Sequence, residues 1–305
     1  MDRVRKRIHL EEIREGRWSR FPITIAVLDS GISHHPDLEG KCMVFQDFLH
    51  QKKFPYDDNG HGTHVCGILC GSGEASAGRY RGIIPSCRLV VGKVLDNKGE
   101  GQADIMLQGM EWILENRKRY DIRLLNISVG IGSLKDKQKS SQLKEMVERI
   151  WDAGVAVICA AGNKGPAEGS ISAIGGSDKV ITVGCYDDLP GNEPGEGCEL
   201  YSGRGKRNSS VRKPDIVAPG TNIVSCCYEF KWTGGQYQSL YEPKSGTSMA
   251  TPIVTGCAAL LLQAEPYLNN VQVKERLHYT AEDLGKPWNL QGWGMVHAKS
   301  LIENS

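Results

Sequence analysis

Two kinds of segment alternate along this chain, and that alternation constrains its fold more than any other feature. The runs ITIAVL (23–28), RLVVGKVL (88–95), RLLNISV (123–129), VAVICAA (155–161) and VITVG (180–184) are short, apolar and rich in β-branched residues. They read as strands buried on both faces. Between them, His61 to Cys70, Ala103 to Arg117, Gln138 to Ala153, Ser248 to Gln263 and residues 271–281 carry helical spacing. Apolar strands alternating with helices predict an α/β protein: three layers, α/β/α, around a mostly parallel central sheet. In such sheets functional groups gather in loops at the carboxyl ends of the strands.

A length of 305 residues suits one large domain, and no repeat or Pro-rich linker divides it. The polar, Gly-rich stretch 186–208 has the same alternation on both flanks. We read an N-terminal extension, 1–22, followed by a single domain, 23–305. A net charge of +1 argues against nucleic acid or an anionic membrane as partner. No stretch approaches the roughly 18 apolar residues of a membrane span, and the charged N-terminus lacks the apolar core of a secretory signal. The ten Cys form no paired CxxC array. This favours reduced thiols in a cytoplasmic protein over a zinc site or a disulfide scaffold.

Three short motifs carry chemistry. Asp29 directly follows the first apolar strand, in Val27-Leu28-Asp29-Ser30-Gly31-Ile32. His61 opens a helical stretch in Asn59-Gly60-His61-Gly62-Thr63-His64-Val65. Ser248 lies in the first turn of an apolar helix, in Ser245-Gly246-Thr247-Ser248-Met249-Ala250-Thr251-Pro252. Taken singly they also read as a turn Asp, a loop His and a helix cap. Taken together they supply a weak nucleophile, a base to activate it and a carboxylate to orient that base. The order Asp, His, Ser matches one serine-protease class, whereas an α/β-hydrolase esterase expects GxSxG and the order Ser, Asp, His.

On these residues the chain resembles the subtilisin-like serine proteases, the subtilase family, over about Ile23 to Ala281. The resemblance implies a serine endopeptidase with Ser248 as nucleophile, His61 as general base and then acid, and Asp29 as orienting carboxylate. It implies that Asn163, in Ala160-Ala161-Gly162-Asn163, completes an oxyanion hole with the Ser248 backbone N–H. Ser128-Val129-Gly130 resembles the family strand along one side of the cleft, and Asn97 to Gly101, with Gly99 and Gly101, the strand edge opposite. Gly99 and Gly101 also read as a plain turn. A protein or peptide substrate would add an extended strand between them.

The resemblance also carries secondary expectations. Lys164 lies where family side chains approach the pocket for the residue before the cut. A cation there disfavours basic substrates and can favour acidic ones. The chemistry needs no cofactor. His35-Pro36-Asp37-Leu38 matches a segment whose Asp can hold structural Ca²⁺, with Glu74 in the partner loop. Only 28 residues precede Asp29, as in propeptide-free intracellular members. Met1 to Arg20 could restrain activity by occupying the cleft. Phe230 to Tyr241 resembles a Gly-turned hairpin. The alternative function is a non-catalytic peptide-binding relative that uses the same cleft.

Overall fold

Strands that are apolar along most of their length cannot leave a face in water, so they assemble into one sheet with helices on both sides. The computed structural model describes residues 1–13, 22–129, 137–187, 197–233 and 236–303. Its central sheet contains β1 (Thr24–Asp29), β2 (Cys42–Asp47), β3 (Arg88–Lys93), β4 (Ile122–Ile127), β5 (Ala156–Ala160), β6 (Ile181–Cys185) and β7 (Ile216–Ala218). The order is β2-β3-β1-β4-β5-β6-β7, and every neighbouring pair is parallel. Two antiparallel pairs accompany it: β8 (Ile223–Cys226) with β11 (Tyr241–Lys244), and β9 (Lys231–Thr233) with β10 (Gln236–Gln238). The second pair falls where the hairpin is expected.

The helices are α1 (Asp2–Arg7), α2 (His61–Cys70), α3 (Ala103–Asn116), α4 (Lys137–Asp152), α5 (Thr247–Ala264), α6 (Asn270–Thr280), α7 (Trp288–Gln291) and α8 (Ala298–Glu303). Helices α3 and α4 pack together on one face, whereas α5 lies over β4 to β7 and packs against α2. The α/β/α layering follows as expected.

The sheet order places the site. From β1 the chain moves out to β2 and β3 on one side, then returns to β4 on the other. The carboxyl end of β1 is therefore a topological switch point, where crevices form outside a parallel sheet. Asp29 is the last residue of β1, Lys93 ends β3 in register with it, Ser128 follows β4, and Asn163 follows β5.

Two expectations need correction. One stretch does reach the length of a membrane span: α5 has 18 residues and a mean hydropathy of 1.3. Buried over 89% of that window, it is the central helix of the core. The ten cysteines are also not all thiols. Cys185 and Cys198 form a disulfide with Cα atoms 5.7 Å apart, and the other eight are free. The partners are 13 residues apart in sequence, so spacing alone gave no sign of the bridge.

Candidate active site

Asp29 is fully buried at the end of its strand. Its Oδ1 accepts the Ser30 N–H at 2.7 Å and lies 2.7 Å from His61 Nδ1. The Oδ2 atom is buried with no hydrogen-bond donor among the described residues, so His61 is the side chain that answers this charge. Burial opposes protonation of His61, but the Asp29 charge and hydrogen bond prevail and hold its pKa above the usual 6.5. With Nδ1 committed to the carboxylate, Nε2 is left for chemistry. His64 differs. Its Nε2 lies near the Ile223 and Glu242 carbonyls, and burial, reinforced by Lys244, pushes its pKa down to about 3. It is a neutral core histidine.

A frame that sequence reading missed holds the Asp29–His61 pair. Asp57 is buried and accepts from Ser30 Oγ (2.9 Å), Asn59 N (3.1 Å), Gly60 N (2.8 Å), Thr63 N (2.9 Å) and Thr63 Oγ1 (2.6 Å). Ser30 Oγ in turn accepts the Gly62 N–H at 2.8 Å. One carboxylate thus ties the residue after Asp29 to the residues on both sides of His61. Burial raises its pKa, but these hydrogen bonds outweigh burial and hold it low. Beneath them, fully buried Lys93 donates to Ser30 O (2.6 Å), Asp58 Oδ1 (2.6 Å) and Leu95 O (2.8 Å). Three acceptors satisfy the three ammonium hydrogens. In the sequence, Asp57 reads as a turn signal and Lys93 is hidden inside an apolar run.

Ser248 is the second residue of α5, and Gly246 is its N-cap. Asn163 is exposed and is held by its carbonyl: Oδ1 accepts from Thr247 N and Thr247 Oγ1, both at 3.0 Å. This fixes the amide, and among the described residues its NH₂ has no acceptor. Gly246 has φ +151°, and a Cβ there would lie 3.2 Å from Asn163 Nδ2 and 3.7 Å from Ser248 N. Glycine therefore keeps open a space that both nitrogens border. A polar ladder supports the turn. Thr251 Oγ1 donates to Thr247 O, Thr255 Oγ1 lies within bonding reach of Thr251 O and Asn126 Oδ1, and Asn126 Nδ2 donates to Ser128 Oγ at 2.8 Å.

Ser128 is fully buried, Val129 packs partly against the core, and Gly130 lies outside the described residues. Across from them, residues 96–100 form a turn and not a strand. Asp96 Oδ1 accepts from Lys98 N and Glu100 N, and Gly99 has φ +76°. Gly99 thus lies in the turn that was its alternative reading, and half-buried Gly101 follows it. Asn59 links this turn to the site: Nδ2 donates to Asn97 O at 3.2 Å and Oδ1 accepts the His61 N–H at 3.2 Å. Lys164 is exposed beside Asn163 and makes no ion pair with a described residue.

The residues around Asp37 do not fit a calcium ion. Ca²⁺ takes about six to eight oxygen ligands. Asp37 Oδ1 is already engaged by Ser72 Oγ (3.1 Å) and Ala75 N (3.0 Å), and Oδ2 by Tyr241 OH (2.6 Å). His35 and Cys226 are close enough to share an ion with Asp37. Yet His35 Nδ1 accepts the Asp37 N–H and Nε2 faces the Leu240 carbonyl at 2.9 Å. Burial lowers the His35 pKa and lifts the Cys226 thiol well above its usual value. Hydrogen-bond donors occupy the places of an ion's oxygen ligands.

The all-parallel central sheet, its switch point and the helices on both faces define a subtilisin-like α/β/α protein. The chain belongs to the subtilase family, whose model matches residues 22–294. It is 40% identical over 291 residues to the serine protease AprX of Bacillus subtilis (strain 168), spanning 92% of this chain and 66% of AprX. It is 35% identical over 278 residues to Subtilisin Savinase of Lederbergia lenta, spanning 91% of this chain and 90% of that protein. The structure of Sphericase superposes with a TM-score of 0.78 at 26% identity, covering 96% of this chain and 97% of Sphericase.

Proposed function

We propose that this chain is a serine endopeptidase working through Asp29, His61 and Ser248. Ser248 Oγ attacks the scissile carbonyl carbon and passes its proton to His61 Nε2. Asp29 holds the imidazole by Nδ1 and stabilises the imidazolium. Ser248 N–H and Asn163 Nδ2 receive the oxyanion. His61 then protonates the leaving amine, and water repeats the sequence on the acyl-enzyme. The observation that carries this reading is the 2.7 Å contact between His61 Nδ1 and buried Asp29 Oδ1, since it leaves Nε2 as the free base. A fluorophosphonate probe should label Ser248 and should fail on Ser248→Ala, which should also lose peptide hydrolysis. Equal hydrolysis by both proteins would sink the assignment, and binding without hydrolysis by either would favour the peptide-binding alternative.

The substrate in this reading is an extended peptide seated between the segment at Ser128, Val129 and Gly130 and the turn that ends at Gly101. Lys164 disfavours a basic residue before the cut, and a peptide library dominated by Lys and Arg there would refute this. We place residues 23–305 in one peptidase domain and its action inside the cell, which cell fractionation tests.

A further inference from the structure

The disulfide joins two segments whose hydrogen bonds reach the backbone beside each of the two nitrogens assigned to the oxyanion. From Cys198, a short 3₁₀ turn leads to Tyr201, Ser202 and Gly203. The Cys198 carbonyl accepts the Ser202 N–H at 2.8 Å. Gly165 N donates to Tyr201 O at 2.8 Å, and Gly203 N donates to Gly162 O at 2.7 Å. Residues 201–203 therefore hold the backbone on both sides of Asn163. From Cys185 a second branch runs to Ser248. Cys185 Sγ packs against Gly220 so closely that a Cβ there would collide with it, and would stand 2.7 Å from the Gly246 carbonyl. Gly246 N donates to Gly220 O at 2.9 Å, two residues before Ser248. Asp187 braces the same point, with Oδ1 accepting the Gly220 N–H at 3.1 Å and Oδ2 lying 3.0 Å from Cys198 Sγ. Both cysteines are completely buried, and the bond between them is the covalent junction of the two branches.

We propose that the Cys185–Cys198 disulfide is a positioning element for the oxyanion hole, so that the thiol–disulfide state of this pair sets the turnover rate. This rests on the assignment of Asn163 and Ser248 above. A dithiol reductant opens the bond by exchange: two electrons and two protons pass to Cys185 and Cys198, and the reductant leaves as its cyclic disulfide. The branches are then joined without that covalent link, through hydrogen bonds such as Cys185 N to Ser202 Oγ and Thr247 N to Asn163 Oδ1, both at 3.0 Å. The Asn163–Thr247 hydrogen bonds persist, but the backbone segments that carry them lose the covalent clamp behind them. Transition-state stabilisation suffers more than substrate binding, because the oxyanion exists only after attack.

The test compares oxidised protein, dithiol-treated protein and the double variant Cys185→Ala/Cys198→Ala, at a temperature where all three are folded by near-UV circular dichroism. Mass spectrometry after alkylation establishes the state of the pair. Reduced and double-variant proteins should show kcat lowered about tenfold, a fraction of the roughly 10²–10³-fold that outright loss of one donor costs. KM should change less than kcat, and a peptide aldehyde inhibitor should bind more weakly in proportion to kcat. The dithiol should have no effect on the double variant. Unchanged kcat and aldehyde affinity in all three, with only the melting temperature altered, would overturn the proposal and leave the bridge a staple. If Ser248-dependent hydrolysis persists in that outcome, the protease reading stands; if hydrolysis never depends on Ser248, that reading fails on its own.

Discussion

His61 is set by two opposed effects, and the balance has a sign that kinetics can read. Burial favours neutral imidazole, Asp29 favours imidazolium, and the net shift is upward from 6.5. A general base must be neutral to accept a proton. The acidic limb of kcat/KM should therefore lie above pH 6.5, with activity falling as pH drops through it. Asp29→Asn removes the charge, so the limb should move to lower pH while kcat falls by about 10⁴-fold. A pH–rate profile of both proteins checks this. Asp57 provides the stability counterpart. Asp57→Ala strands five donors in a buried frame and should cost about 3 kcal/mol, measured by denaturant unfolding. Because its folded pKa is depressed, its contribution is complete above the ordinary carboxylate value of 3.8 and is lost as pH falls through the folded value. The motifs that carry Asp29, His61 and Ser248 are local and can be read directly in the sequence. The role of Asp57 cannot, because it depends on donors from Ser30, Asn59, Gly60 and Thr63, whose meeting is a product of the fold.

Secondary structure was most legible where burial is complete. β1 is buried at every position, and its apolar run announced it, as did the long buried helix α5. α6 begins at a capping box, with Asn269 Oδ1 accepting from Gln272 N and Gln272 Oε1 accepting from Asn269 N. β2 gave no such signal. It is a half-buried edge strand, CMVFQD, with neither a continuous apolar run nor clean alternation. The segment before it carries the Asp37 cluster, which ties three elements together by hydrogen bonds: the turn at Pro36–Leu38, the loop at Ser72–Ala75 and β11. Since those bonds saturate the carboxylate, a calcium chelator should leave the melting temperature unchanged through this site. Tyr241→Phe should lower stability by about 1–2 kcal/mol, and added Ca²⁺ should not restore it. A chelator-induced drop in melting temperature that Asp37→Asn abolishes would contradict this account.

At the scale of the molecule, the first residues close the fold. Val4 and Ile8 are core residues, 1% and 0% exposed. Arg7 pairs with Glu282 at 2.7 Å, Ile8 O accepts the Ala298 N–H at 2.8 Å, and the His9 ring stacks on His297 at 4.1 Å. Arg3 reaches the Thr221 carbonyl. Residues 1–13 thus take a place in the body of the fold, and residues 14–20 of the stretch proposed to occupy the cleft lie outside the described residues. The burial of Val4 and Ile8 was not legible in Met1 to Arg20, because two apolar positions separated by one helical turn are a weak signal beside so many charges. The two readings predict opposite effects for Ile8→Ala. As a cleft occupant, a weakened segment would release activity, and kcat/KM would rise at little cost in stability. As a core element, the same change leaves a cavity between α1 and the chain near α8, should cost about 2–4 kcal/mol, and should leave kcat/KM per folded molecule unchanged. Thermal unfolding together with active-site titration separates them, since titration corrects the rate for any unfolded fraction. Activation with an unaltered melting temperature would return the segment to the cleft.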